Sequence, residues 1–279
     1  MFDLYPDITK ERVEKLHALT PKRISFAYAN KEQPRRSSSP YIGIFTVSFV
    51  ETIGLLFNAE TGLDLYYSPK NSKFIHSFKS ENDFLLVSDW VRRQGTRHFL
   101  RDCLELSVAL DQNLTDNQNS THTQLGKWES MAKGQFSQEA IAGLVGCYVS
   151  TIRELPFYRD TRYIAAVPPR PGKLYDLPST LAAKIAEALG IENLTTRFSY
   201  AGQKGAIKTL SINDKWAAWE QAGLSFSPAL ENRPSIILID DKYQSGITLQ
   251  FVASKLRAAG AGDIYGLCAV KTLRDDDNQ

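Results

Sequence analysis

The clearest hydrophobic period in the chain runs from Ser137 to Ile152. Ile141, Leu144, Val145, Tyr148 and Ile152 recur there at the three-to-four residue spacing of a helix with one buried face. Ser137 is placed to cap this helix, and Glu139 sits in its first turn, where the helix dipole favours a carboxylate. The helix ends before Pro156. Beyond it the pattern alternates between strand and helix. Residues 163–167 form a short apolar strand, followed by a Pro- and Gly-rich turn at 168–173. The next helix places Leu181, Ile185 and Leu189 four apart and stops at Gly190. A less regular stretch covers 195–232. Residues 235–239 are a continuous apolar run, as expected of a strand buried on both faces of a parallel sheet. A helix with Leu249, Val252, Leu256 and Ala259 on one face follows, closed by Gly260, and 264–270 form a further strand. Strand, helix, strand is the rhythm of an α/β protein with a parallel, doubly wound sheet.

The first half is less regular. Residues 41–50 have the β-branched and aromatic content of a strand, and 82–109 suggest one or two helices broken near Gly95. Two polar runs, 30–40 and 111–124, read as loops. The expected division is therefore an N-terminal α+β region of unknown fold and role at 1–133, followed by an α/β domain at 134–279.

Composition narrows the function classes. With 279 residues, 43% hydrophobic and 23% charged, the chain has the makeup of an ordinary globular protein. A net charge of +2 gives no electrostatic case for a nucleic-acid coat or a membrane surface. The basic cluster 92–97 reads first as a solvated helix end. Cys103, Cys147 and Cys268 are widely spaced, which argues against a disulfide framework and a Cys-based zinc site. The histidines His17, His76, His98 and His122 share no metal-ligand spacing. The N-terminus has no apolar signal segment, and no apolar run is long enough to span a bilayer, so a cytoplasmic protein without membrane association is expected.

The chemistry concentrates in 236–248, Ile-Ile-Leu-Ile-Asp-Asp-Lys-Tyr-Gln-Ser-Gly-Ile-Thr. Two adjacent carboxylates, Asp240 and Asp241, stand at the carboxyl end of a buried strand, where ligands bind in open α/β sheets. A short loop then opens a helix, whose first N–H groups and positive dipole end attract anions. Gly246 permits close approach of a ligand to the backbone, and Ser245 and Thr248 add hydroxyls. Carboxylates beside an anion cradle suit a ligand carrying both a phosphate and vicinal hydroxyls.

These thirteen residues resemble the phosphoribosyl pyrophosphate (PRPP) signature of type I phosphoribosyltransferases. The resemblance implies that Asp240 and Asp241 hold the ribose hydroxyls while Tyr243, Gln244, Ser245, Gly246, Ile247 and Thr248 hold the 5-phosphate. Gln244 stands where the family commonly has threonine, and Ile247 where it often has a small residue. Within the family the chain looks most like the ComF-like branch, through 166–173, 176–190 and 258–261, although that branch's Cys-rich zinc element is missing. The likeness covers 136–274, and it makes 168–173 a pyrophosphate loop with Arg170 and Lys173 on the phosphate oxygens. It also makes 203–216, with Lys204, Lys208 and Lys215, a loop over the site, and it implies Mg²⁺ carried by the substrate near Asp240 and Asp241. The implied activity is transfer of ribosyl 5-phosphate from PRPP to a nitrogen nucleophile with release of pyrophosphate. The alternative is a non-catalytic sensor or assembly factor in DNA uptake, processing or defence. Such a protein would bind PRPP or another ribose 5-phosphate ligand, and its N-terminal region would meet a protein partner or DNA.

Overall fold

A computed structural model describes residues 6–28, 32–37, 40–116, 121–169, 171–173, 175–202 and 212–273. In chain order the elements are α1 (Lys10–His17), β1 (Arg23–Ser25), β2 (Arg35–Arg36), β3 (Gly43–Val47), α2 (Gly54–Thr61), β4 (Tyr66–Ser68) and β5 (Lys73–Phe78). Next come α3 (Glu81–Arg93), β6 (His98–Leu100), β7 (Leu106–Gln112), α4 (Gln124–Gln135), α5 (Gln138–Glu154), β8 (Tyr163–Ala166) and α6 (Leu177–Leu189). The chain continues through β9 (Glu192–Asn193), β10 (Phe198–Tyr200), α7 (Ile212–Gln221), β11 (Leu224–Phe226), β12 (Ile236–Tyr243), α8 (Ile247–Ala258) and β13 (Ile264–Lys271).

A seven-stranded sheet in the order β1-β6-β7-β13-β12-β8-β9 organises the molecule. From β7 to β9 every neighbouring pair is parallel, and β6 and β1 close one edge antiparallel. The sheet is thus mostly parallel, in a mixed α/β fold. Both faces are covered, because alternate residues of β12 enter different clusters. Ile237 and Ile239 pack with Leu144 of α5 and Leu181 of α6, whereas Ile236 and Leu238 pack with Trp219 of α7 and Val252 of α8. Burial on both faces explains why β12 is written as an unbroken apolar run.

The predicted caps are in place around α5 and α6. Ser137 Oγ accepts from the Ala140 N–H, and α5 buries Ile141, Leu144, Tyr148 and Ile152. Gly190 ends α6 in the left-handed region, with φ 66°.

The expectation of helix through 82–109 needs correcting. α3 ends at Arg93, and the later part forms β6 and β7. β7 is buried along its whole length, so its apolar run carries no period of two that would separate it from a buried helix. Asp111 and Gln112, expected in a loop, are the last residues of this strand.

The N-terminal region contains an antiparallel four-stranded sheet, β2-β3-β5-β4. Trp90 is fully buried at its centre, edge-on to Phe26, Phe45 and Phe57. Its indole N–H donates to Glu60 at 2.9 Å. These side chains belong to the same apolar cluster as Ile237 and Ile239. The division expected between 133 and 134 falls in the last turn of α4. The main sheet takes β1, β6 and β7 from before that point and β13, β12, β8 and β9 from after it. The polar run after Gln112 thus connects two parts of one sheet.

Candidate functional site

The apolar run that starts β12 does not stop at Ile239. The strand pairs with β13 through Tyr243, so the two aspartates lie inside it. Successive strand residues point to opposite faces, and this separates the two carboxylates. Asp240 lines a cavity of about 100 Å³ together with Lys215, Lys242, Gln244, Ser245, Gly246 and Thr248. Asp241 is buried toward α4, with its Oδ2 2.5 Å from Lys133 Nζ.

Lys133 also lies 3.5 Å from Glu129, a fully buried carboxylate whose Oε2 takes Lys242 Nζ at 2.8 Å. Asp241, Lys133, Glu129 and Lys242 therefore alternate in sign from the back of the strand to the cavity wall. Burial alone would lower the Lys133 ammonium, but the carboxylates of Asp241, Glu129 and Asp240 together hold it above the ordinary lysine range. Asp240 is pushed well above the usual carboxylate range, first by burial and then by the charge of Asp241, with Lys133 opposing. Its position is fixed by the Asp241 N–H, which donates to Asp240 Oδ1 at 2.9 Å. Tyr148 Oη holds the backbone by donating to the Asp240 carbonyl at 2.7 Å.

The strand turns into α8 through Gln244, Ser245 and Gly246. Gly246 has φ 75°, and a Cβ there would lie 2.1 Å from Tyr243 Oη. Only glycine meets both conditions, so this residue sets the tight turn. No side chain caps α8, which leaves its first N–H groups without intrahelical partners at the cavity. Lys215, 4% exposed, reaches the same cavity from α7, and burial pushes its ammonium down. Thr248 Oγ1 accepts from Trp219 Nε1 at 3.4 Å.

Behind the turn, Tyr243 Oη donates to Asp102 Oδ2 at 3.1 Å, and the Leu104 N–H donates to Asp102 Oδ1 at 3.0 Å. Asp102 is 2% exposed, and burial pushes it up to about 7. Gln250 ties the turn to the same segment. Its Nε2 donates to the Gly246 carbonyl at 3.3 Å, and its Oε1 accepts from the Cys103 N–H at 3.0 Å.

The structure thus brings Asp240, Gln244, Ser245, Gly246 and Thr248 around one space. Tyr243 also lines this space, although its hydroxyl is turned to Asp102, whereas Ile247 is fully buried in the apolar cluster of α8. The chain leaves the sheet beside the site just after Val167, whose N–H donates to the Ile239 carbonyl at 2.9 Å. Lys173 pairs with Asp176, the N-cap of α6, at 3.4 Å. Arg170, Lys204 and Lys208 lie outside the described residues. Sequence reasoning passed over Lys133, Glu129, Lys242, Asp102 and Trp219, and it undervalued Lys215. Of these, only Lys242 carried a local signal, as the neighbour of the two aspartates.

The space has room for a phosphate group with part of what it is attached to. One carboxylate, two ammonium groups, two hydroxyls and a helix N-terminus suit an anionic ligand that also carries a hydroxyl. Among the described residues, no group of three or more His, Cys, Asp or Glu side chains is arranged to hold a metal ion, and no helix is long and apolar enough to cross a membrane.

No family model matches the chain, and no curated protein matches it. Among solved structures, an adenine phosphoribosyltransferase from Leishmania donovani is similar at 12% identity and a TM-score of 0.33, over 53% of this chain and 70% of that one. A likeness of that extent carries no argument about function here.

Proposed function

We propose that the cavity at Asp240 binds the ribose 5-phosphate part of PRPP, and that the protein transfers it to a nitrogen nucleophile with release of pyrophosphate. The observation that carries this reading is the joint presence, on one cavity, of the Asp240 carboxylate and the uncapped start of α8 at Gly246. The 5-phosphate meets the N–H groups of 246–248, the hydroxyls of Ser245 and Thr248, and the charge of Lys215. Asp240 accepts from a ribose hydroxyl. In the reaction the bond from C1 to the pyrophosphate oxygen breaks, the bond from C1 to nitrogen forms, and the nitrogen loses a proton. The transition state resembles an oxocarbenium ion, so holding the ribose and the leaving group in place lowers the barrier. Magnesium suits this arrangement as a cation held through ligand oxygens and water, with Asp240 the carboxylate in the cavity. Arg170 and Lys173 are proposed for the pyrophosphate. This reading places the fold with the phosphoribosyltransferase-type doubly wound proteins, in the ComF-like branch.

A second reading, a phosphoribosyl-binding sensor or assembly factor without turnover, is favoured by the engagement of Asp241 with Lys133 on the far side of the strand. Exchange of labelled pyrophosphate into PRPP, measured with magnesium and a panel of nucleobase and amine acceptors present, separates the two readings. Exchange that Asp240→Asn abolishes supports transfer. PRPP binding by calorimetry without exchange supports the sensor. Absence of PRPP binding overturns both.

A further inference from the structure

We propose that the turn after β12 borders a second binding site, which takes a single chloride-sized anion. A small cavity of about 10 Å³ lies there, room for one water-sized sphere. Tyr243, Gln244 and Ser245 form a wall that it shares with the cavity at Asp240. The rest of its lining is dominated by His17, Lys22, Arg101 and Lys271, and no lining residue among those described is acidic. The proposal does not depend on PRPP, because none of these four basic residues lines the cavity at Asp240.

Four separate elements bring the basic side chains together. His17 ends α1, Lys22 precedes β1, Arg101 follows β6 and Lys271 ends β13. The Arg101 N–H donates to the Lys22 carbonyl at 2.9 Å, which fixes these two residues side by side. Lys271 is 1% exposed, and its ammonium donates to the Thr272 carbonyl at 2.9 Å and the Thr272 hydroxyl at 3.1 Å, both uncharged acceptors. Arg101, its side chain 11% exposed, gives Nε and Nη2 to Glu51 Oε1 at 2.9 and 2.7 Å. Its Nη1 makes no hydrogen bond among the described residues, although the side chain lines the cavity. Cations gathered around so small a space repel one another, and burial adds the cost of their lost hydration. An anion in the space offsets both and accepts from Arg101 Nη1. Size selects the anion: a carboxylate or phosphate has more atoms than the space holds, whereas a halide ion is a single sphere.

Bromide scatters X-rays anomalously and so marks the site directly. Crystals of the full chain, grown without chloride and soaked in bromide, are expected to show an anomalous peak in this cavity against Arg101. In solution the reference anion is gluconate, which is too large for the space, and phosphate is left out. Replacing gluconate by chloride at constant ionic strength is expected to raise the melting temperature saturably, by roughly 2–5 °C. Lys22→Met is expected to move the midpoint of that response to about fivefold higher chloride. Arg101→Gln is expected to remove both the peak and the response, whereas Lys215→Met, in the other cavity, should keep the response. A water in place of the peak, or a peak only in the cavity at Asp240, overturns the proposal. So does a peak without a chloride response in solution, which is an adventitious ion only. If Arg101→Gln does not fold, the wild-type peak and the Lys22→Met midpoint decide.

Discussion

Lys133 Nζ lies 2.5 Å from Asp241 Oδ2, on the side of β12 away from the cavity that Asp240 lines. Two neighbouring aspartates therefore have opposite duties, and substitution separates them. Asp241→Asn removes the closest partner of a half-buried ammonium from a buried carboxylate position and is expected to cost roughly 1 kcal/mol of stability after solvent screening. Asp240 is different, because its raised pKa means that its charge is disfavoured in the folded state at neutral pH. Asp240→Asn is expected to raise the melting temperature at pH 7 while lowering PRPP affinity at least about tenfold, because bound PRPP and magnesium favour the ionised carboxylate, which the amide cannot supply. Thermal unfolding and calorimetry on both variants check the pair of outcomes. Equal loss of stability in the two would contradict the separation.

Gly246 is the conformational pivot of the anion turn. Alanine there faces both a left-handed φ of 75° and a Cβ 2.1 Å from Tyr243 Oη. The tyrosine cannot yield cheaply, because its hydroxyl is anchored on buried Asp102. Gly246→Ala is expected to destabilise the protein by about 1–3 kcal/mol. Binding of inorganic phosphate should weaken with it, because the N–H groups of 246–248 shift. Denaturant unfolding and a phosphate titration on the folded variant read the two effects.

The part of this architecture visible in the sequence is the part written in local signals. Ser137, Gly190 and the apolar spacing of α5 and α6 specify their helices without tertiary help. The 240–248 segment announces an anion turn through its acids, small residues and glycine. What stayed hidden depends on contacts between distant segments. Lys133 and Asp241 are 108 residues apart, and Asp102 and Tyr243 are 141 apart. β7 was misread because a strand buried on both faces carries no alternation. The opposed directions of Asp240 and Asp241 follow from the length of β12, which the polar residues at its end concealed. Had the strand been extended to Tyr243, the period of two would have separated the carboxylates at once.

Lys215 looked like one of several solvated lysines, yet it is 4% exposed and lines the cavity. Burial lowers its pKa, and a phosphate bound beside it would raise it again. Lys215→Met keeps the length of the side chain and removes the charge. It is expected to weaken phosphate or PRPP binding about tenfold or more. Calorimetry at low and high salt checks this, with a smaller salt dependence expected for the variant.

Asp102 gives the protein a pH dependence of defined sign. Its pKa rises from 3.8 to about 7 on folding, with burial the main cause, against the opposing hydrogen bonds from Ser107, Leu104 and Tyr243. A carboxyl group with a raised folded-state pKa stabilises the fold fully below its unfolded pKa, and this contribution is lost as pH rises through the folded value. The shift corresponds to roughly 4 kcal/mol between those limits. Glu32, Asp111 and Asp240 are raised as well, so the informative comparison is with Asp102→Asn. The asparagine carbonyl still accepts from the Leu104 N–H, and no ionisation remains. Between about pH 5 and about pH 8, wild-type stability in urea is expected to fall more steeply than that of Asp102→Asn, and above the folded pKa the two slopes become equal. Because Asp102 carries the Tyr243 hydroxyl and Tyr243 packs against Gly246, phosphate binding should report the same titration in wild type and lose it in the variant. Parallel pH profiles for the two proteins, in both stability and binding, would show that Asp102 is ionised throughout and does not act on the turn.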